Sequence, residues 1–324
     1  MSTKQICSAV FALAAGSMTL AASGTTFGAE KFPSKPIEVV IHAKYGGGSD
    51  TTARMMMVGT QRILGVPMRV VIKRGGSGAK AQAYVNSKPR DGHTVLALTP
   101  THLYTMARGR SQLKIDDLIG IARAISDPTF IVVSAKSPFR SLEDLVAAGR
   151  KKALTWSIAN IGGTEHIGLA RLAELSGVKY RAVPFGGGAA MVREVMSGAI
   201  DASLPNVSEA LTQIGDGRLR ALALLSDKRL KDFPNVPTAR ERGYDVSLFT
   251  VRGYAVLKGT PPERVRILSE AFVKGMHSKR FAAFLGQYGL AVDDNVAGQK
   301  AWTAQLRKEY REAAAALKKL GLAK

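Results

Sequence analysis

At 324 residues the chain is long enough for two ordinary domains with apolar cores, and 46 Lys and Arg against 25 Asp and Glu give it a formal net charge of +21. The basic residues are spread along the chain and aromatics make up only 6% of it, so the basic stripe interleaved with aromatics that marks a nucleic-acid binder is absent and no nucleic-acid partner is expected. One cysteine, Cys7, excludes a disulfide framework, and the charge surplus reads as a well-solvated surface with a long-range attraction for anions.

In chain order, a short polar stretch holding Lys4 runs into residues 6–20, which are apolar or small and uncharged. That is the outline of a secretory signal peptide, with cleavage expected after Ala29 and residues 21–23 as an alternative site. The run is shorter than the roughly 20 strongly apolar residues of a membrane span, which argues against a retained anchor. Removing residues 1–29 leaves 295 residues with a charge of +20 (45 basic, 25 acidic) and takes Cys7 away, so neither a disulfide nor thiolate chemistry is expected. Cys7 also lacks the preceding small residues of a lipoprotein signal. No later segment is long and apolar enough to span a bilayer, and the expected location is the periplasm.

Short β-branched runs then alternate with amphipathic stretches, the pattern of an α/β protein with mainly parallel sheets. Strands are expected at 37–42, 68–73, 94–98, 130–134, 155–157, 180–183, 199–203, 221–225 and 254–257. Helices are expected at 50–64, 79–86, 141–151, 164–176, 189–197, 207–215, 262–274, 279–288 and 298–320. In the last of these Trp302, Leu306, Tyr310 and Leu317 fall near helical spacing, and Gly321 closes it. The pattern restarts near 126–129 and again near 249–254, so these are the candidate crossovers between lobes. The expected division is 30–128 with 251–324 as one lobe and 129–250 as the other, with no linker or repeat to suggest beads on a string.

Four glycine-rich turns stand where strands should end and helices or loops begin. In open α/β sheets ligands collect at that edge, where helix N-termini offer unpaired N–H groups and partial positive charge. The first turn is Tyr45-Gly46-Gly47-Gly48-Ser49-Asp50. A dinucleotide fingerprint would place a third glycine where Thr51 stands, and no phosphate-binding Gly-Lys-Ser/Thr loop occurs. The others are Gly75-Gly76-Ser77-Gly78, Asn160-Ile161-Gly162-Gly163-Thr164-Glu165-His166 and Val183-Pro184-Phe185-Gly186-Gly187-Gly188. His166 suits a ligand contact, a base or a structural bond to the backbone; no Ser or Cys nucleophile is placed beside it. The five histidines (His42, His93, His102, His166 and His277) show no zinc-like spacing, so neither a metal nor a cofactor is expected. The run Met55-Met56-Met57 reads as core packing on a helix.

The blocks Pro33-Ser34-Lys35-Pro36-Ile37, Gly46-Gly47-Gly48-Ser49-Asp50 with Ala53-Arg54, and Arg90-Asp91-Gly92-His93-Thr94 resemble the start of the solute receptors of tripartite tricarboxylate transporters, the Bug family. The likeness continues through Ser137-Pro138-Phe139, Leu142-Glu143-Asp144-Leu145, Val183-Pro184-Phe185, Gly198-Ala199-Ile200-Asp201-Ala202, Val236-Pro237-Thr238, Gly243-Tyr244 and Gly259-Thr260-Pro261. The resemblance implies a type II periplasmic-binding fold, two α/β lobes joined by two crossing segments with a ligand cleft between them. It implies a small carboxylate held by backbone amides, hydroxyls and waters: Gly47, Gly48, Ser49 and Asp50 in one lobe, and Gly162, Thr164, His166, Gly187 and Gly188 in the other. Tyr45, Thr99, Thr101, Gly163, Phe185 and Asn206 complete the candidate set. Two departures stand out: Tyr45 where proline is common, and a bulkier, more acidic third turn.

The implied function is a monomeric receptor, not an enzyme, that hands its ligand to the membrane subunits of the transporter. Arg54, Arg193 and Arg252 are the arginines to test for an anion clamp. The rival readings are an exported small hydrolase acting on an ester or phosphate, and an adhesive surface protein.

Overall fold

A computed structural model describes residues 31–43, 45–46, 48–185 and 187–323. The proposed signal peptide and Gly47 lie outside them. Strands β1 (Ile37–Ile41), β2 (Met68–Ile72) and β3 (Thr94–Leu98) pair in parallel, with β1 in the middle. The 17-residue β4 (Leu118–Ser134) is followed by a second parallel set, in which β5 (Leu154–Ile158) lies between β6 (Tyr180–Pro184) and the two-residue β7 (Ala202–Ser203). Next come β8 (Leu219–Leu225), antiparallel to β4, and β9 (Phe249–Leu257), antiparallel to both β3 and β4. A short β10 (Ala297–Gly298) also pairs with β4. The sheet path is β2-β1-β3-β9-β4-β7-β5-β6, so the sheet is mixed: the expected parallel pairing holds within β1–β3 and within β5–β7, and antiparallel strands join the two sets into two lobes.

β4 changes partner at one point. Leu118 to Pro128 pair with β9, and Thr129 to Ser134 pair with β8. Pro128 has no N–H to continue the ladder, which suits the residue at which a strand leaves one sheet for another. Past that point β4 alternates between two cores: Phe130 and Val132 pack with Val192, Val195 and Val207, while Ile131 and Val133 pack with Leu145, Trp156 and Leu172. Both faces are covered, which is why this stretch is uninterrupted apolar sequence.

The helices between strands are α1 (Gly48–Leu64), α2 (Ala79–Asn86), α3 (Pro100–Ala107), α4 (Leu142–Lys151), α5 (Thr164–Ser176), α6 (Gly188–Ser197) and α7 (Val207–Gly215). The chain then adds α8 (Pro262–Met276), α9 (Lys279–Gly286), α10 (Val292–Asn295) and α11 (Gln299–Lys319). α3 was not expected, although Thr99-Pro100 is a cap followed by proline at the first helical position. The strand expected at 199–203 shrinks to two residues because Gly198 closes α6 at φ +84 and Asp201 turns inward to accept the N–H and hydroxyl of Thr155.

α11 locks β4 against β9. The Trp302 ring is fully buried and its Nε1–H donates to the Tyr254 carbonyl at 3.1 Å. Gly120 in β4 and Gly253 in β9 leave room for it, since a Cβ on either would stand 2.6 or 2.5 Å from the ring. Trp302→Ala should therefore cost about 3–5 kcal/mol, and Gly253→Ala about 1–3 kcal/mol through overpacking. Urea unfolding of the purified variants measures both; a Trp302→Ala loss under about 1 kcal/mol would show that the ring does not clamp these strands.

Candidate functional site

Five helices begin on one cavity of about 230 Å³. α1 contributes Gly48 and Ser49, α3 its cap Thr99 with Pro100 and Thr101, and α5 Thr164 and Glu165. α6 contributes Gly187 and Gly188, and α7 its cap Asn206 with Glu209. The first N–H groups of a helix have no partner inside it, and the aligned peptide dipoles add partial positive charge there. Parallel βα units deliver all these ends to one edge, so the cavity collects donors and positive potential from both lobes.

Arg252, on β9, completes the lining together with His42, Ala43, Ala159, Asn160 and Thr250. Its guanidinium lies over Gly48, so close that a Cβ there would meet Nη2 at 2.8 Å. Among the described residues it makes no hydrogen bond to the protein, leaving its donors for a guest. Arg252, Gly48 and Glu209 also line an adjoining cavity of about 210 Å³, with Asp127 and Ser208 behind them. His42 is pushed down to about 4 by burial and then by Arg252, so its imidazole is neutral at neutral pH.

Asn206 is held by both β4 and β9. Its side-chain amide donates to the Asp127 carbonyl at 3.0 Å and to the Thr129 hydroxyl at 3.3 Å, and it accepts the Thr250 hydroxyl at 2.8 Å. The start of α7 thus moves with β4 and β9. Tyr104 of α3 reaches across to the Thr164 hydroxyl at 3.4 Å, and Arg108 donates to the carbonyls of Ile161 and Gly162. Gly162 is required twice over: its φ is +67°, and a Cβ would overlap the Arg108 guanidinium.

Of the residues singled out in the sequence, Gly48, Ser49, Thr99, Thr101, Thr164, Gly187, Gly188 and Asn206 lie on the cavity wall. Asp50 is buried beside it; burial opposes its ionisation, but hydrogen bonds from Arg54 and the Gly46 N–H outweigh that and hold it below the usual carboxylate range. Tyr45 is 75% exposed, with Arg54 stacked 5.1 Å from its ring centre. Gly162 and Gly163 shape the turn before α5, and His166 Nδ1 accepts the Gly162 N–H at 2.9 Å, which commits that nitrogen to the backbone. Phe185 is half-buried and off the wall, and Arg193 is exposed. The second glycine turn braces α3: Thr105 donates to the Ser77 carbonyl, and Gly78 packs on His102.

Two wall residues carry charge that the sequence reading left out of the candidate set. Glu209 is pushed up to about 7 by burial despite accepting the Asn206 N–H, and the charges of Glu165 and Asp127 add to the rise. Glu165 and Asp127 are themselves raised, each chiefly by burial. These carboxyls are 82 or fewer positions apart in sequence but meet only in the fold, and no local pattern announces them. The two hollows above 500 Å³ lack the convergence of helix starts. One of about 530 Å³ is lined by opposed charges including Arg123, Arg240, Asp245 and Glu309. The other, of about 600 Å³, meets the C-terminal ends of α4 and α6 at Lys151 and Ser197, where the helix dipole disfavours anions.

The family described as "Tripartite tricarboxylate transporter family receptor" matches residues 52–322. A Cupriavidus necator protein, "UPF0065 protein in gbd 5'region", is 26% identical over 322 residues, covering 98% of each chain. BugT of Bordetella pertussis is 28% identical over 262 residues, covering 78% of this chain and 79% of its own. The crystal structure of a TctC solute-binding protein from Polaromonas superposes with a TM-score of 0.80 at 31% identity, covering 89% of this chain and all of that one (100%). A Rhodopseudomonas palustris protein with bound malate shares the fold at a TM-score of 0.74 and 22% identity, over 88% of this chain and 100% of that one. By sequence and by fold, the chain belongs to the receptor family of the tripartite tricarboxylate transporters.

Proposed function

We propose that the chain captures a small carboxylate in the cavity between its lobes, in the periplasm, and delivers it to the membrane subunits of a tripartite tricarboxylate-type transporter. One observation carries the reading: five helix N-termini and an unpaired arginine converge on a single cavity. Relatives of the same fold hold adipate and malate, which are small carboxylates. The role is binding without turnover; His166 lies off the cavity wall, with Nδ1 accepting the Gly162 N–H. Residues 1–29 act as a cleaved signal peptide, and the mature receptor works as a monomer. The lobes are 30–128 with 251–324, and 129–250, so that β4 and β9 are the crossing segments. Among the described residues no helix is long and apolar enough to cross a membrane.

The guest touches helix starts from both lobes, so it binds the closed arrangement better than an open one, and that difference in affinity drives closure. Micromolar capture corresponds to about −8 kcal/mol, which a few charge-assisted hydrogen bonds of about 1.5–3 kcal/mol each can supply. Arg252→Ala should weaken carboxylate binding by about 10–100-fold and Arg252→Lys by less, read by isothermal titration after a thermal-shift screen of mono-, di- and tricarboxylates. Unchanged affinity in Arg252→Ala would remove the arginine from the site.

Burial of Glu209 also sets a pH dependence. The folded chain holds its proton up to about pH 7, whereas the unfolded chain releases it near 4.5, so stability is greatest below 4.5 and falls as pH rises toward 7. The contribution is at most about 3 kcal/mol at pH 8. Urea unfolding of ligand-free protein at pH 5 and pH 8 should show Glu209→Gln gaining stability over the parent at pH 8 and little at pH 5. Equal differences at both pH values would refute this.

A further inference from the structure

Glu209 is the wall carboxyl with a free oxygen. Its side chain runs from the first turn of α7 across the start of α6, where it fills the space over Gly188 that a Cβ would need. Oε2 accepts the Asn206 N–H at 3.0 Å, and Oε1 accepts no hydrogen bond among the described residues. The two carboxyls that neighbour it are already engaged: Asp127 accepts the Ser208 hydroxyl and N–H, and Glu165 is met by the backbone N–H groups of Glu165 and Ala159. Glu209 shares both of its cavities with Arg252. A guest carboxylate that reaches Arg252 in a space of about 230 Å³ therefore also meets Glu209.

Two ionised carboxylates side by side in that space repel each other, the more so in low-dielectric surroundings, and a proton on one of them turns the repulsion into a hydrogen bond. The Glu209 oxygens already stand as a neutral acid needs them: Oε2 accepts as the carbonyl oxygen, and Oε1 is left to carry the proton and donate it. We infer that Glu209 holds the guest as a carboxylic acid, donating a hydrogen bond from Oε1 to a guest carboxylate, and that capture above neutral pH takes up one proton. One O–H bond forms at Oε1 with a proton from solvent, and the guest stays ionised. This rests on the receptor reading and adds a contact residue and a proton to the same cavity. The groups around Glu209 fit the assignment. Arg252 from β9 is the cation on these walls, and once it pairs with the guest it no longer offsets a charge on Glu209. β4 brings Asp127, α5 Glu165, the turn after α9 Tyr288, and the segment after β1 His42, which is neutral at neutral pH. α6 and β8 pack on α7 through apolar side chains, Val192 and Val195 from one and Leu219 and Leu224 from the other. Unfilled, Glu209 keeps its proton up to about pH 7, and a negative guest beside it moves that limit upward. At pH 6 the filled and unfilled forms are both protonated and capture is proton-neutral; at pH 8 only the filled form is, so affinity falls as pH rises.

Isothermal titration of the purified full chain with propionate, malate, adipate and citrate, at pH 6 and pH 8 in buffers of low and high ionisation enthalpy, counts the protons. The member that binds should take up close to one proton at pH 8 and almost none at pH 6, with affinity lower by about tenfold at pH 8. Glu209→Gln still caps α7 through its carbonyl oxygen and presents a neutral donor at every pH, so at pH 8 it should bind that member about tenfold more tightly than the parent and without the extra proton. The guest's own ionisation is common to both proteins, and their difference isolates the side chain. Equal uptake in parent and variant at pH 8, or loss of binding in Glu209→Gln, overturns the inference and leaves the receptor reading standing. If none of the four binds the parent in any buffer, the receptor reading falls and the inference with it.

Discussion

The molecule depends on the antiparallel register of β4 with β9, from Leu118 opposite Leu257 to Pro128 opposite Phe249. These strands belong to neither parallel set alone. Their pairing decides how the carboxyl edges of β1–β3 and β5–β7 are presented to each other, and so whether five helix starts meet in one cavity or point apart. The clamp that holds the register is built from volume as much as from polarity: two glycines removed from the sheet surface admit one indole, whose single N–H then finds a strand carbonyl. Asn206 ties the same strands to α7 through three side-chain hydrogen bonds, so the binding wall and the crossing segments form one polar network.

Most of the helices and parallel strands were legible because their signals are local. α2, α5 and α7 run over the residues that apolar spacing and end signals indicate, and β3 is bounded as its β-branched run suggests. The first eleven residues of β4, from Leu118 to Pro128, were not legible. Gly120, Arg123, Ser126, Asp127 and Pro128 interrupt the apolar pattern, and three of them are tolerated for reasons lying far along the chain: Gly120 for Trp302, Arg123 for the Asn295 carbonyl and Gln305, and Ser126 for the side chain of Asn295. The strand is fixed by its partners instead of by its own propensity.

The site divides in the same way. Glycine turns before helices can be found in a sequence, because a helix start needs a cap and a close approach needs a missing side chain; seven of the eight wall residues foreseen lie at helix caps or first turns in Gly, Ser or Thr. The carboxyls that tune the wall cannot be found so. Arg252 is one of three arginines the sequence offers as an anion clamp, but its place mid-strand between Val251 and Gly253 says only that it points away from the core, and the fold is needed to pick it from Arg54 and Arg193. Glu209 has the spacing of a capping box with Asn206, and that structural role hides the free oxygen it turns to the cavity.

Surface and cavity charge act over different distances, and this relates a chain of net charge +21 to a cavity wall that carries both Arg252 and the carboxyls of Glu165 and Glu209. Exposed charge acts collectively on an approaching anion but is screened beyond about 8 Å at physiological ionic strength. Inside the cavity the screening is weaker, and individual groups decide the outcome. A carboxylate is thus drawn toward the protein by the basic surface whatever else it carries. Whether it stays is settled at the wall, where the helix starts and Arg252 meet it directly. Attraction at long range without selectivity, followed by selection at short range, is the arrangement expected of a receptor that must collect a dilute solute from a mixture of similar anions.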